Sequence, residues 1–225
     1  MLRNAIARGL GDLGRPQFVR YVLFGVIGAA LVFLALFGGI GWLLVNTALL
    51  SIAWLEWALD ALGGLAVLVL SVVLYPGVVA AVAQLFAEAI ADDVEKQHYP
   101  ALPPAGDTPL ITGILAGLRL AGISLVLNLL ALPLYLVPGL NLPVFVLLNG
   151  YLVGREYFEA VALRRFSEGE VQRLRKASGG RVLILGAAVA FGLGVPLLNL
   201  IMPVLGLVVM AHLAAQLAQN RERRS

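Results

Sequence analysis

Four long stretches of the chain contain no charged side chain, and the charged residues fall between them. No Asp, Glu, Lys or Arg occurs in residues 21–55, 61–87, 120–154 or 182–220. Each stretch is longer than the roughly 20 residues that carry an α-helix across a bilayer. The pattern therefore predicts an all-α integral membrane protein, with residues 1–225 forming a single membrane domain.

Two of these stretches are interrupted in the middle by nearly the same phrase. Residues 137–143 read VPGLNLP, and residues 195–203 read VPLLNLIMP. A proline removes a backbone donor and clashes with the preceding turn, so each phrase should end one helix and begin another. The predicted structural breaks are Pro138, Gly139, Pro143, Pro196 and Pro203. Irregular backbone inside a membrane is tolerated only where protein or a water-filled cavity shields it from lipid, as in the broken helices of transporters.

Arginine and lysine residues set the predicted orientation. Basic residues occur in 1–20, cluster again in 155–181 and end the chain in 221–225. By the positive-inside rule these three segments lie in the cytoplasm, so both termini are cytoplasmic. Residues 21–87 then form a transmembrane hairpin, and its outer turn carries two carboxylates flanked by tryptophans.

The remaining segments complete the predicted topology. Residues 88–119 form a proline-rich cytoplasmic connection. Since residues 120–154 and 182–220 must each begin and end in the cytoplasm, each forms a helical hairpin with its proline-asparagine phrase at the tip. One arm of each hairpin is short, 142–154 in the first and 182–195 in the second. Two re-entrant, partly inserted hairpins are therefore favoured over four full crossings.

The segment before the first span is predicted to begin with an amphipathic helix that lies on the membrane surface. Its apolar side consists of Leu2, Ile6, Leu10 and Leu13, with Arg3 and Arg8 elsewhere. A disordered leader is the alternative interpretation of this segment.

Composition and residue types exclude several classes of function. Apolar residues make up 60% of the chain and charged residues 13%, which excludes a water-soluble domain. The chain has no cysteine, which excludes disulfides, thiol nucleophiles and thiolate metal sites. No nucleophile, base and orienting group occur together, and no nucleotide or nucleic-acid motif is found, so no enzyme activity, cofactor or nucleic-acid partner is predicted. His98 and His212 are isolated in sequence, and neither is assigned to a metal.

Four residues are candidates for binding an anion or lining its path. Asn141 and Asn199 follow the breaks and are predicted as N-caps of helices whose first N–H groups point into the membrane. The alternative is that both amides only satisfy backbone groups at a packed corner. Arg15 and Arg20 precede the first span, where they form either an anion funnel or ordinary topogenic and lipid-headgroup contacts.

Four short segments resemble, in their order along the chain, the CysZ-type sulfate permeases and their wider membrane superfamily. They are RP at 15–16, FAE at 86–88, VPGLN at 137–141 and, most specifically, PLLNLIMPV at 196–204. The resemblance implies two transmembrane helices with two partly inserted hairpins, homo-oligomeric assembly in the bacterial inner membrane and sulfate uptake for cysteine synthesis. It also implies that no ATPase subunit takes part.

The chain departs from this family at the turn before the first span. The family's turn carries a Gly-Leu-Arg element that is associated with sulfate binding, whereas here Gln17 replaces the glycine and Val19 replaces the first of two arginines. Arg20 keeps the second arginine position, and Arg15 remains nearby. Because guanidinium groups and free backbone N–H groups hold sulfate, the sequence predicts a weakened anion site.

Two classes of function follow. The first is a membrane permease or channel-like transporter for a small inorganic oxyanion, with sulfate as the substrate that the resemblance implies. The alternative is a noncatalytic membrane scaffold or interaction protein of the same superfamily, which the altered arginine element favours.

Overall fold

The structure, a computed structural model, describes residues 2–46, 62–65, 74–75, 77–106, 108–195 and 197–223. All regular structure in these residues is helical. The longer helices are α1 (Leu2–Leu13), α2 (Pro16–Asn46), α3 (Ala87–His98), α4 (Leu110–Tyr135), α5 (Asn141–Ala162), α6 (Glu168–Ala177), α7 (Gly179–Leu193) and α8 (Leu198–Glu222). Residues 77–84 are helical as well.

Three of the described helices are long and apolar enough to cross a membrane. The candidate spans are Pro16–Trp42 in α2, Ile111–Tyr135 in α4 and Leu198–Glu222 in α8, with 27, 25 and 25 residues. All three exceed the roughly 20 residues that a span needs. The prediction of an all-helical membrane protein is therefore confirmed. The outer turn of the predicted hairpin 21–87, and residues 61, 66–73 and 76 of its second arm, lie outside the described residues.

Both proline-asparagine phrases interrupt a helix, as the sequence predicts. The first break separates Tyr135 from Asn141 and contains Gly139 at φ 84°, a left-handed conformation that suits glycine. The second break separates Leu193 from Leu198 and contains Leu197 at φ 68°. A non-glycine residue in this left-handed region costs about 1–2 kcal/mol of conformational free energy. Interactions elsewhere in the fold therefore offset this cost at the second break.

Of the prolines predicted as helix breaks, one lies between helices and two lie inside them. Pro138 lies in the first break, whereas Pro143 lies in the first turn of α5, where a missing N–H removes no helical bond. Pro203 was predicted as a break, and this is wrong: it is buried within α8, which runs through it. Pro133, similarly, lies within α4. Pro196 is outside the described residues.

The two hairpins pack side by side through a glycine-lined contact between α5 and α7. A Cβ atom on Gly186 would lie 2.1 Å from the carbonyl oxygen of Gly150 and 2.5 Å from Cα of Gly154. A Cβ atom on Gly150 would lie 2.8 Å from Cα of Ala187. Because later residues of α5 meet earlier residues of α7, the helices are antiparallel. This register brings the start of α5 beside the end of α7, so both hairpin tips lie at the same end of the molecule.

Helix α8 forms the centre of the described structure. Of its most apolar 18 residues 67% are buried, compared with 17% in α2 and 6% in α4. The fully buried side chains of α8 include Leu207, Met210 and Leu213. Helix α8 is therefore held mainly by protein, whereas α2 and α4 present most of their apolar surface outward.

Helix α1 packs against α8 through small residues and Asp12. Its buried residues are Ala5, Gly9 and Asp12, whereas Leu10, on the predicted apolar side, is 56% exposed. Small residues allow close approach of the two helices. That the side with Leu2, Ile6, Leu10 and Leu13 lies on the membrane surface stays a prediction.

Candidate anion site

Arg15 lies at the corner between α1 and α2, where a buried carboxylate neutralises it. Its Nε atom is 3.1 Å from Oδ1 of Asp12, the penultimate residue of α1. The Asp12 side chain is fully buried, whereas that of Arg15 is partly exposed. An arginine that already compensates a buried carboxylate has less attraction left for a free anion.

Arg20, one turn into α2, lies in a different environment. It is exposed, and its guanidinium carbon is 5.5 Å from the ring centroid of Tyr21. The Tyr21 hydroxyl in turn donates a 2.8 Å hydrogen bond to Oδ2 of Asp93 in α3. Among the described residues, no carboxylate is within ion-pair distance of Arg20. Arg20 is therefore the cation of this corner that remains able to attract an anion.

Two backbone N–H groups at the start of α2 are already used within the corner. The N–H groups of Phe18 and Val19 both donate to the carbonyl oxygen of Arg15, at 3.0 and 3.1 Å. The Gln17 amide Nε2 donates to Oε1 of Gln97 at 2.7 Å and so links α2 to α3. Gln17, noted in the sequence only as a substituted glycine, thus makes a structural contact between two helices.

Asn141 and Asn199 are not N-caps, and the sequence prediction is wrong on this point. The N-cap positions belong to Leu140 and Leu197, and neither helix start has a side-chain cap bond. Asn141 is exposed, and its Oδ1 accepts a 2.8 Å bond from the N–H of Leu142. The unusual backbone of Gly139 and Leu197 displaces the helix starts by one or two residues, so the amides lie inside the first turns.

The hairpin tips are apolar and exposed in a single chain. Leu136 is 84% exposed and Leu197 is 78% exposed, while Asn199 is half-buried. Asn141 is exposed, so among the described residues little shields its amide from the surroundings. The tips therefore present hydrophobic side chains around two amide groups.

The four candidate residues do not form one site. Asp12, the partner of Arg15, contacts His212 in α8. Asn199 lies 13 residues before His212 in the same helix, which corresponds to about 20 Å along the axis. The arginine corner and the asparagine tips therefore lie at different levels of the molecule.

A cavity of about 490 Å³ lies between α4 and α5, and its charged lining is acidic. Its polar lining includes Gln84, Glu88, Thr108, Glu156 and Glu159. Glu159 pairs with Arg155 at 2.9 Å and with Arg175 at 3.4 Å. Glu156 accepts a 2.9 Å bond from Gln84 Nε2. Carboxylates repel anions, so this cavity is unsuited to sulfate.

A second charged network joins α3 to the end of α5. Arg164 contacts Asp92 and Glu95 at 3.2 and 3.4 Å, and Arg165 contacts Glu95 at 2.6 Å. The Lys96 ammonium and then the Arg164 guanidinium hold the pKa of Asp92 below its ordinary value. The charges of both arginines are paired with carboxylates, although the buried Nε of Arg164 has no hydrogen-bond partner among the described residues. These ion pairs join α3 to the segment that follows α5.

His98 and His212 are not isolated, contrary to the sequence interpretation. Both Nε2 atoms lie 2.9 Å from carboxylate oxygens of Asp12. The two rings are 4.8 Å apart between centroids. Because His212 is 114 or more positions from the other two groups along the chain, no local spacing indicated this cluster.

The fold and the two helix breaks define a class of protein: an all-helical integral membrane protein with interrupted helices, an arrangement typical of transporters. Residues 5–203 match the family described as sulfate transporter CysZ/etoposide-induced protein 2.4. The chain belongs to this family. The comparison with curated proteins finds no match.

Proposed function

We propose that the protein is a permease for a small inorganic oxyanion, with sulfate as its first candidate substrate. The observation that carries the proposal is the family match over residues 5–203, whose description names a sulfate transporter. In this account the protein supplies sulfate for cysteine synthesis from the inner membrane of a bacterium, with both termini in the cytoplasm.

The two helix breaks provide the physical support for a route through the membrane. A break leaves backbone N–H and C=O groups unpaired at a depth where lipid offers no partner, which is tolerated where the groups line a cavity. The starts of α5 and α8 carry partial positive charge, which favours an anion. We propose that two partly inserted hairpins, α4–α5 and α7–α8, form this route.

Arg20 is the residue that we propose for the first contact with the anion. It is exposed and lies beside the Tyr21 ring rather than against a carboxylate. Guanidinium groups bind oxyanions through charge-assisted, forked hydrogen bonds. The anion then passes to the region of Asn141 and Asn199, driven by its own gradient without ATP or a cofactor.

We propose that homo-oligomerisation shields the hairpin tips from lipid. Asn141 and its neighbour Leu142 are exposed in a single chain. The outward apolar surfaces of α2 and α4 offer the contact area. A second copy that covers these surfaces would shield the amides from acyl chains.

Radiolabelled sulfate uptake into liposomes tests the proposal. The purified full chain, shown to be folded by its thermal transition, is reconstituted with a sulfate gradient, and uptake is compared with that of empty vesicles. We expect uptake above the empty-vesicle level and inhibition by unlabelled sulfate. Uptake equal to that of empty vesicles would contradict the permease.

A membrane scaffold is the second candidate, and two observations favour it. Arg15 is neutralised by Asp12, and the first N–H groups of the corner donate to its carbonyl oxygen. Both features weaken the corner as an anion site. A scaffold would give no sulfate uptake while remaining folded, so the same experiment separates the two functions.

A further inference from the structure

Three metal-binding side chains from three different helices converge on one point of the structure. They are Asp12 at the end of α1, His98 at the end of α3 and His212 in α8, and their ligand atoms all lie within 4.8 Å of one another. The side chains of Asp12 and His212 are fully buried, and that of His98 is 16% exposed. Within the described residues, this is the cluster whose donors suit a metal ion.

The two histidines present the same ring nitrogen to the carboxylate. Nε2 of His98 is 2.9 Å from both oxygens of Asp12, and Nε2 of His212 is 2.9 Å from Oδ2. Nδ1 of His212 faces the Tyr99 hydroxyl at 3.2 Å. Both Nε2 atoms thus face a shared space beside a buried negative charge.

Tyr99 contacts His212 on the side away from Asp12. Its hydroxyl lies 3.2 Å from Nδ1 of His212 and accepts a 3.2 Å hydrogen bond from Gln216 Nε2. A cation bound at Nε2 of His212 would place the ring proton on Nδ1, where it can donate to the Tyr99 hydroxyl.

The outer contacts of the cluster match those of metal sites. Ligating histidines commonly donate their second ring N–H to an oxygen acceptor, and ligating carboxylates are themselves hydrogen-bonded. Tyr99 supplies the first contact, and Arg15 Nε, 3.1 Å from Oδ1 of Asp12, supplies the second. Arg15 therefore leaves Oδ2 as the oxygen that is available to a metal.

We propose that Asp12, His98 and His212 bind one divalent transition-metal ion, with Zn²⁺ as the best-suited candidate. Zn²⁺ takes imidazole nitrogen and carboxylate oxygen at about 2.0–2.2 Å in tetrahedral geometry, which requires donor separations of about 3.4 Å. Each Nε2 atom lies 2.9 Å from a carboxylate oxygen of Asp12, and all ligand atoms lie within 4.8 Å of one another, so small side-chain movements would admit the ion. Water completes the coordination on the partly exposed side of His98.

The metal ion would act as a clamp between α1, α3 and α8. It would compensate the buried Asp12 charge and fix the corner that carries Arg15. The clamp lies about 20 Å along α8 from Asn199, but it adjoins the corner that carries Arg15 and Arg20. Its test therefore measures metal content and Tm and does not use sulfate uptake.

Metal content and thermal stability of the full chain in detergent test the clamp. The protein is purified without a histidine tag, stripped with chelator, exposed to Zn²⁺ and desalted. We expect about one Zn²⁺ per chain by elemental analysis, and a chelator-induced fall in Tm that Zn²⁺ reverses. Binding of Co²⁺ should give the visible absorption of a tetrahedral site.

Matched variants make the test specific. His98→Ala should lose Zn²⁺ retention and the Zn²⁺-dependent change in Tm, whereas Gln97→Ala, its neighbour in sequence, should keep both. Tyr99→Phe should weaken Zn²⁺ binding by about 10- to 100-fold, because it removes the acceptor of His212. Absence of Zn²⁺ retention in the wild type, or equal retention by His98→Ala, would overturn the proposal. The three side chains would then be held together by hydrogen bonds alone.

Discussion

At the scale of single residues, the two arginines of the α1–α2 corner have different partners. Arg15 compensates the buried Asp12, while Arg20 is exposed beside Tyr21. From the sequence, Arg15 and Arg20 were equal candidates. Asp12 is buried because α1 packs against α8, and a contact so distant in sequence cannot be predicted from the local residue pattern. The structure therefore ranks Arg20 above Arg15 as an anion ligand.

Arg20→Gln should raise the sulfate concentration for half-maximal uptake by about tenfold or more, because a charge-assisted hydrogen bond contributes about 1.5–3 kcal/mol. Arg15→Gln should have a smaller effect on this concentration and a larger effect on stability, since it leaves Asp12 with one partner fewer. Concentration-dependent uptake and Tm of both variants check the prediction. Equal kinetic effects of the two substitutions would contradict it.

Glu170 gives a prediction about pH at the surface of α6. Its pKa is lowered to about 2, first by the Arg221 hydrogen bond and then by those from Ser167. Because the folded pKa lies below the ordinary value, the stabilisation is complete above about pH 5 and is lost as the pH falls toward 2. The pair is exposed, so solvent reduces its contribution.

Hydrogen exchange of α6 measures this effect. Protection should be constant between pH 8 and about pH 5, after correction for the intrinsic exchange rate, and should fall at lower pH. In Glu170→Gln the pH-dependent part should disappear. A loss of protection in the wild type between pH 7 and pH 6 would point to a different group.

At the scale of elements, the sequence predicted both helix breaks because proline and glycine act locally on the backbone. It could not predict that Pro203 lies inside α8, since packing around a buried helix compensates one missing bond. The predicted membrane boundary of the first re-entrant hairpin, Gly154, lies within α5, which continues as a helix to Ala162. The helix continues because Arg155 pairs with Glu159 one turn later, and the pair is buried.

The glycine contact between α5 and α7 predicts a matched pair of substitutions. Gly186→Ala should destabilise the protein by about 1–3 kcal/mol, because its Cβ would lie 2.1 Å from the carbonyl oxygen of Gly150. Gly122→Ala in α4 is the control, since within the described residues nothing lies within 4 Å of its added Cβ.

Thermal unfolding of the two variants in the same detergent checks the difference. Gly122→Ala should leave Tm unchanged or raise it, because alanine favours helix over glycine by up to about 1 kcal/mol. Equal Tm values for Gly186→Ala and wild type would mean that the two hairpins are not in close contact.

At the scale of the whole molecule, contacts between residues far apart in sequence determine which helix is central. Asp12 and His212 are 200 positions apart, yet they make a buried contact. Hydropathy predicted the class of protein and the uncharged stretches that contain most of α2, α4 and α8, because it depends on composition within one segment. It contains no information about which helix is central, which depends on contacts between segments.

The depth of the hairpin tips can be measured because the chain has no cysteine. Leu136→Cys and Leu197→Cys place one thiol at each tip, and Lys176→Cys provides a control on the predicted cytoplasmic segment. Partly inserted hairpins predict that a membrane-impermeant maleimide labels neither tip in intact cells, whereas it labels Lys176→Cys in inside-out vesicles. Labelling of the tips from the outside would indicate full crossings.

Sulfate flux through Asn199→Leu protein tests the central claim, that the hairpin tips line an anion route, most directly. Asn128→Leu is the control, since Asn128 in α4 donates to the Ser124 carbonyl of its own helix, away from both breaks. We predict that Asn199→Leu lowers uptake into liposomes by about three- to tenfold at unchanged Tm, as expected for one lost hydrogen bond, while Asn128→Leu keeps the wild-type rate. Equal uptake by the two variants, with both folded, would contradict the claim.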